Sequence, residues 1–172
     1  PDGRICDMNR PSVNPFARPG VFLTTLWRGL RGRSRDGYHI PHSAYDAPDP
    51  TPIDITSFVG FFIAARVVRE VGLPHAGLFV YGDDVLYSLR LRRAGHAILF
   101  APDLPFEHDC ATFEADAPRL FVPLWKTYYA TRNRLMMYRY AAGPVLFWPL
   151  AHQETQAWWR AGRRYPAAEP GA

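Results

Sequence analysis

The sequence predicts an α/β domain. Between residues 53 and 108, short apolar segments rich in β-branched and aromatic residues alternate with segments of helical periodicity. That order is typical of α/β proteins. Hydrophobic residues make up 48% of the 172-residue chain, which is enough to build a buried core. The aromatic content of 15% also excludes the composition of a disordered chain.

Residues 1–52 are dominated by turn-forming residues, with four prolines between 41 and 52 and Arg-Gly repeats around 29–37. We expect a surface segment of the same domain with few regular elements. Arg-Gly tracts bind nucleic acid in some proteins. Here the tract occurs once and is short, so a solvated loop is the favoured interpretation.

The next elements are a predicted strand over 55–63 and a predicted helix over 64–71, which ends before a glycine and a proline. Gly60 interrupts the strand pattern. A glycine at such a position indicates either a bulge or the close approach of another backbone or a ligand.

The apolar run 78–81 leads into Gly82, Asp83 and Asp84, followed by a predicted helix over 85–94 and a predicted strand over 97–101. One aspartate can cap the helix, but capping does not readily explain both. Because adjacent carboxylates repel each other, a bound cation or a proton transfer is the functional explanation for the pair. His108 follows the strand, and we expect it to be a third member of the same site.

A helix is predicted from residue 124 onwards, within a helical extension over 113–150 and before a partly disordered tail over 151–172. Aromatic and basic residues mix in this helix, as they do in helices that rest on anionic membranes. A helix packed on its own domain with arginines that reach solvent explains the pattern equally well.

Charge and cysteine content set only broad limits. A net charge of +4 favours phosphate-bearing partners without choosing among them. Two cysteines without a CxxC motif indicate a reducing cytoplasm rather than a disulfide-stapled secreted domain. We find no apolar run close to the roughly 20 residues that a membrane-spanning helix needs.

The segment GDDVLYSLRLRRAGHAILFAPDLPFEH resembles the C-terminal half of the catalytic domain in inverting family 2 glycosyltransferases. It looks most like the rhamnosyltransferase and galactofuranosyltransferase-like members. TSFVGFFIAARVVREVGLP before it and KTYYATRNRL after it match in the same order, so the resemblance covers roughly residues 53–140. It implies the C-terminal part of a GT-A-type, Rossmann-like domain followed by helices, with the acceptor and catalytic part over 53–112.

The resemblance implies roles for three residues. Asp84 matches the base that deprotonates the acceptor hydroxyl, and Asp83 would hold the acceptor or tune the pKa of Asp84. His108 matches a ligand of the divalent cation, Mg²⁺ or Mn²⁺, that holds the diphosphate of the donor. We also predict that Gly60 and Gly82 contribute to substrate binding.

Other matched and unmatched positions limit the resemblance. Arg132 and Asn133 match an Arg-Asn pair of the family, whose role stays open. Many relatives carry an acid where this chain has Leu86. The Asp-x-Asp metal motif of the family is missing from this sequence, so we expect a fragment that lacks the donor-binding half and is inactive alone.

The resulting hypothesis is a bacterial enzyme of cell-surface polysaccharide biosynthesis. Its expected partners are a nucleotide-sugar donor and a glycan or lipid-linked acceptor, with no nucleic acid. Its expected location is the cytoplasm, with a peripheral contact at the inner face of the cytoplasmic membrane. The alternatives are a non-catalytic module that binds membrane or nucleic acid, and an inactive pseudoenzyme remnant.

Overall fold

A computed structural model describes residues 9–31, 37–106 and 123–163. The chain forms two compact units. The first consists of Pro1–Gly77 and Asp83–Ala111, and the second of Leu78–Gly82 and Thr112–Ala172. The predicted division into residues 1–52, 53–112, 113–150 and 151–172 concerns function. The two units are defined by contacts within the chain, so they do not test it.

Within residues 9–31, 37–77 and 83–106, the first unit has three helices and a small sheet. In chain order these are α1 (Pro19–Gly29), β1 (Thr51–Ile53), α2 (Ala65–Val71), α3 (Asp83–Arg93) and β2 (Ile98–Phe100), with short 3₁₀ turns at His42–Asp46 and Ala76–Leu78. The two strands pair antiparallel, with Ile53 opposite Ile98. The buried core unites apolar residues from the strands, from α3 and from the segment before β1: Ile40, Ala44, Ile53, Tyr87, Leu91 and Ile98.

The N-terminal residues 12–14 are joined to the residues that follow β1 by backbone and side-chain hydrogen bonds. The backbone N–H of Ser12 donates to the carbonyl of Ile55 at 2.9 Å. Asp54 accepts the backbone N–H of Asn14 at 2.8 Å and forms a 2.8 Å ion pair with Arg92 of α3. One carboxylate therefore links the N-terminal segment to α3.

Several predicted elements are confirmed. The helix expected over 64–71 is α2, the strand expected over 97–101 is β2, and the helix expected after residue 124 begins at Trp125. The helix expected over 85–94 is α3, which starts two residues earlier because both aspartates belong to its first turn.

Two predictions about elements are wrong. The strand predicted over 55–63 does not form beyond an isolated bridge at Ile55, because Gly60 adopts φ +65° within a turn and the rings of Phe58 and Phe61 pack with each other instead of following a period of two. The segment expected to have few regular elements contains α1, whose first turn is favoured by Pro19. The Rossmann-like fold class stays a prediction.

The second unit is dominated by α4 (Trp125–Gly162), which is a hairpin rather than a straight rod. Gly143 leaves the helical conformation with φ 74° and ψ −177°, and Pro144 follows it. Arg134 and Glu154 would be about 30 Å apart in a straight helix. Their side chains are instead 3.3 Å apart, so residues 125–142 and 144–162 fold back on each other. In the described part of the chain, no helix combines the length and the apolar character needed to cross a bilayer.

The buried side chain of Glu154 links the two arms of this hairpin. Its side chain is almost fully buried and accepts a hydrogen bond from the indole N–H of Trp158. Arg134 pairs with the same carboxylate oxygen from the opposite arm at 3.3 Å. A carboxylate can be buried at acceptable cost only when such donors replace its water.

We expect Glu154→Ala to lower the free energy of unfolding by about 2–4 kcal/mol, because Arg134 and the Trp158 N–H lose their buried acceptor. Glu154→Gln should cost less, since its amide oxygen still accepts a hydrogen bond. Urea denaturation measures both changes. The exposed neighbour Gln153→Ala is the matched control, and equal stability of Glu154→Ala and this control would contradict the fastening role.

Candidate active site at the start of helix α3

Asp83 and Asp84 form the first turn of α3 and follow an unusual stretch of backbone. Phe79, Tyr81 and Gly82 all have positive φ, at 58°, 66° and 82°. Only glycine adopts this region without cost, and each non-glycine residue there stores about 1–3 kcal/mol of strain. Strained backbone of this kind concentrates at functional sites. The backbone that leads into α3 is therefore conformationally restricted, and the two carboxylates lie at the positively polarised N-terminus of that helix.

Asp84 is the group whose chemistry the fold changes most clearly. Burial, with a smaller contribution from the charge of Asp83, raises its pKa from 3.8 to about 6 in total. The backbone N–H of Val85 donates to Asp84 Oδ1 at 2.7 Å and opposes the shift. The net effect follows from desolvation, which penalises the charged form of a carboxyl group. The carboxyl group can thus take up and release a proton near neutral pH.

The burial of Asp84 reflects the packing of the residues that follow it in α3. Ser88, one turn later, is 1% exposed. Its hydroxyl donates to the backbone carbonyl of Asp84 at 2.8 Å and accepts the backbone N–H of Thr56 at 3.3 Å. The ring of Phe58 meets that of Tyr87 edge to face, with centroids 6.0 Å apart. The turn that follows β1 therefore lies along α3.

The two glycines predicted to bind substrate have protein side chains beside them. A Cβ added at Gly60 would lie 3.0 Å from Cγ of Phe106, and one at Gly82 would lie 2.7 Å from Sδ of Met137. Both glycines also have positive φ, which a larger residue would resist. These contacts explain why each position is glycine without reference to a ligand, so the substrate-binding roles stay predictions.

Asn133 is a residue whose role the sequence did not reveal. It is completely buried, and its Nδ2 donates to the carbonyls of Leu78, Val80 and Tyr81 at 2.8, 2.7 and 2.8 Å. Its Oδ1 accepts a hydrogen bond from Nε of Arg132 at 2.9 Å. One amide therefore holds the strained segment 78–82 against α4.

A weak signal for this role exists in the sequence. Asparagine is disfavoured inside a helix, because its side chain competes for backbone hydrogen bonds. Its presence inside α4 indicates a specific partner, but the partner carbonyls lie more than 50 positions earlier in the sequence. Helical periodicity is a local pattern, so it cannot indicate a partner that is so far away in the sequence.

The predicted metal site is not formed by the described residues. His108 lies outside them, and within residues 9–31, 37–106 and 123–163 no group of three or more histidine, cysteine, aspartate or glutamate residues could hold a metal ion. Asp83 and Asp84 supply the oxygen ligands that Mg²⁺ prefers, but two adjacent carboxylates are too few for a cation site on their own. The cation requirement stays a prediction.

An aromatic cluster occupies the start of α4 in the second unit. Phe79, Trp125, Tyr128 and Tyr129 are in ring contact, with centroids 5.2–6.0 Å apart. Three of the four are well exposed. The guanidinium of Arg132 lies 5.0 Å from the Tyr129 ring centroid. The prediction that this helix rests on a membrane stays untested by these contacts.

No protein-family model, curated protein or solved structure matches this chain. The resemblance to family 2 glycosyltransferases therefore depends on the sequence motifs alone and stays a prediction.

We expect Asn133→Asp to destabilise the chain by about 2–3 kcal/mol, because it replaces the donor that three carbonyls share with a group that repels them. Thermal and urea denaturation measure the loss. Hydrogen exchange should also accelerate in segment 78–82. The matched control is Gln156→Ala, which removes an exposed amide from the same helix. A loss no larger than in this control would contradict the anchoring role.

The carboxyl carbon of Asp84 should titrate with an inflection near pH 6, which NMR of carboxyl-labelled protein can measure. In Asp83→Asn the inflection should move to lower pH, because the neighbouring negative charge is one of the causes that raise it. An inflection near 3.8 in the wild-type protein would contradict the burial argument.

The same shift predicts how stability depends on pH. Between about 3.8 and about 6 the folded chain binds a proton at Asp84 that the unfolded chain has lost. The free energy of unfolding contributed by Asp84 therefore falls as the pH rises through this window, and stays constant above it. Asp84→Asn should remove this fall, so its stability relative to wild type should increase from acid to neutral pH. A pH-independent difference between the two proteins would contradict the shift.

Proposed function

We propose that this chain is the acceptor-side part of an inverting glycosyltransferase that uses a nucleotide-sugar donor. The observation that carries the proposal is the burial of Asp84 in the first turn of α3, which raises its pKa to about 6, within the motif that resembles the catalytic base of family 2 enzymes. A general base works best when its pKa lies near the working pH, since it must be ionised and still accept a proton. An ordinary surface aspartate would be a much weaker base.

In the proposed reaction, the Asp84 carboxylate accepts the proton of an acceptor hydroxyl. The hydroxyl oxygen attacks the anomeric carbon of the donor sugar from the face opposite the diphosphate. The bond between that carbon and the diphosphate oxygen breaks, and the nucleoside diphosphate leaves with the electron pair. A single displacement of this kind inverts the anomeric configuration. The proton stays on Asp84 until solvent removes it.

Asp83 supports this chemistry by its charge. It follows Gly82 directly, and its negative charge makes the proton on Asp84 more stable. The same carboxylate is available to accept a hydrogen bond from a second hydroxyl of a sugar acceptor. The proposed acceptor is a glycan or a lipid-linked sugar of cell-surface polysaccharide biosynthesis, and the proposed location is the cytoplasm at the inner face of the membrane.

The test is an acceptor-dependent assay of nucleoside diphosphate release from a panel of nucleotide-sugars. The resemblance implies that donor-binding residues precede these elements, so the assay uses the chain together with any sequence that its gene encodes before Pro1. Asp84→Asn should lower the turnover number by about 10²–10⁴-fold, because the amide cannot take the proton. The substitution keeps the size of the side chain, and circular dichroism checks the fold.

The matched control is Asp49→Asn, which removes an exposed carboxylate from a loop of the same unit. It should retain full turnover. Retained turnover in folded Asp84→Asn would remove Asp84 from the catalytic role. A complete lack of donor-dependent turnover in the wild-type protein would instead favour the non-catalytic alternative.

A further inference from the structure

Helix α1 presents an apolar stripe that no other part of the described structure covers. Four large side chains, Leu23, Leu26, Trp27 and Leu30, are 61%, 52%, 55% and 81% exposed. None of the residues of α1 is buried. Exposed apolar residues are common one by one, but a contiguous group of four is a feature of binding surfaces.

The spacing of these residues places them on one side of the helix. Positions i, i+3, i+4 and i+7 fall within an arc of about 100° when each residue turns the chain by about 100°. The opposite side, with Val21, Phe22 and Thr25, is half-buried, and the ring of Phe22 lies 6.2 Å from that of Phe16. The helix is therefore anchored to the first unit by one face while the stripe faces solvent.

The charged residues of α1 and of the positions next to its ends are all basic, and of these Arg28 lies on the half-buried side rather than beside the stripe. Residues 17–31 contain Arg18, Arg28 and Arg31 and no acidic residue. The guanidinium of Arg31 lies 3.7 Å from the centre of the Trp27 ring, at the border of the stripe. A tryptophan paired with a cation suits the boundary between lipid headgroups and acyl chains, where one end of the pair is apolar and the other is wet.

We propose that α1 is a membrane-surface helix that lies in the interface of an anionic bilayer, with the stripe in the acyl region and the arginines at the phosphates. This combination of an apolar face rich in leucine and tryptophan with flanking arginines is the pattern of interfacial helices. The proposal is independent of the proposed transferase activity.

Other occupants fit the charges and the side chains less well. A second copy of the chain, packed stripe to stripe about a two-fold axis, would place Arg31 at the border of each stripe with no acidic residue of either α1 to pair with. Nucleic acid would use the arginines, but it gains nothing from three exposed leucines, since bases bind by stacking on aromatic rings. An anionic lipid bilayer offers phosphates to the arginines and acyl chains to the apolar stripe.

The experiment measures cosedimentation of the full chain with vesicles of phosphatidylcholine, with and without phosphatidylserine. The wild-type protein should bind the phosphatidylserine vesicles more tightly. The triple variant Leu26→Gln, Trp27→Gln, Leu30→Gln should bind them at least about tenfold more weakly, because three side chains no longer enter the acyl region. Glutamine is a good helix former, so α1 should persist in the circular dichroism spectrum.

The matched control replaces three exposed apolar residues of the same unit outside α1, Phe62→Gln, Leu73→Gln and Leu99→Gln. These side chains are 80%, 74% and 56% exposed, and the control should bind like the wild type. Arg18→Gln with Arg31→Gln should reduce binding to phosphatidylserine vesicles towards the level on phosphatidylcholine alone, because the charge contribution is lost.

Four outcomes would overturn the proposal. They are a lack of vesicle binding by the wild-type protein, equal binding of both vesicle types, equal loss of binding in the stripe variant and the control, and wild-type binding by the stripe variant. Binding to a single-stranded oligonucleotide without vesicle binding would assign the arginines to nucleic acid. A dimer that dissociates in the stripe variant, again without vesicle binding, would assign the stripe to a second copy.

Discussion

The desolvation of one carboxyl group, that of Asp84, is the constraint on which the functional account depends. An aspartate in water is ionised at neutral pH and is a poor base. At the start of α3 the loss of solvent outweighs the hydrogen bond from Val85, which favours the charged form, and the pKa rises to about 6. The fold thus turns an ordinary side chain into a group that exchanges a proton at physiological pH.

The backbone just before this carboxylate has an unusual conformation, with positive φ angles. Two non-glycine residues with positive φ occur just before it in the chain, and three carbonyls of that segment depend on the buried amide of Asn133. Strain of this kind persists only where surrounding contacts enforce it. In the other arm of the α4 hairpin, Glu154 plays a comparable part, because it pairs with Arg134 of the first arm and accepts the indole N–H of Trp158 from its own arm. Asn133 and Glu154, which both belong to the second unit, are thus buried polar side chains that each satisfy several partners.

The sequence predicted those features that arise from local patterns. Helical periodicity and stop signals predicted α2 and α3, and the acidic pair at the start of α3 identified the candidate site. The strand predicted over 55–63 was wrong because apolar composition alone does not determine backbone conformation around Gly60. The hairpin in α4 was missed because Gly143 and Pro144 permit a reversal, while the ion pair between Arg134 and Glu154 that confirms it joins positions far apart in the sequence.

The most direct measurement of the central claim is the pH dependence of the transfer rate under single-turnover conditions, since it reports the ionisation of the base during the reaction itself. The account predicts a rate that rises as the pH passes through about 6, where Asp84 loses its proton, and that stays level above it. A rate that is constant through this range, in a folded and active enzyme, would show that the proton of the acceptor is taken by a different group.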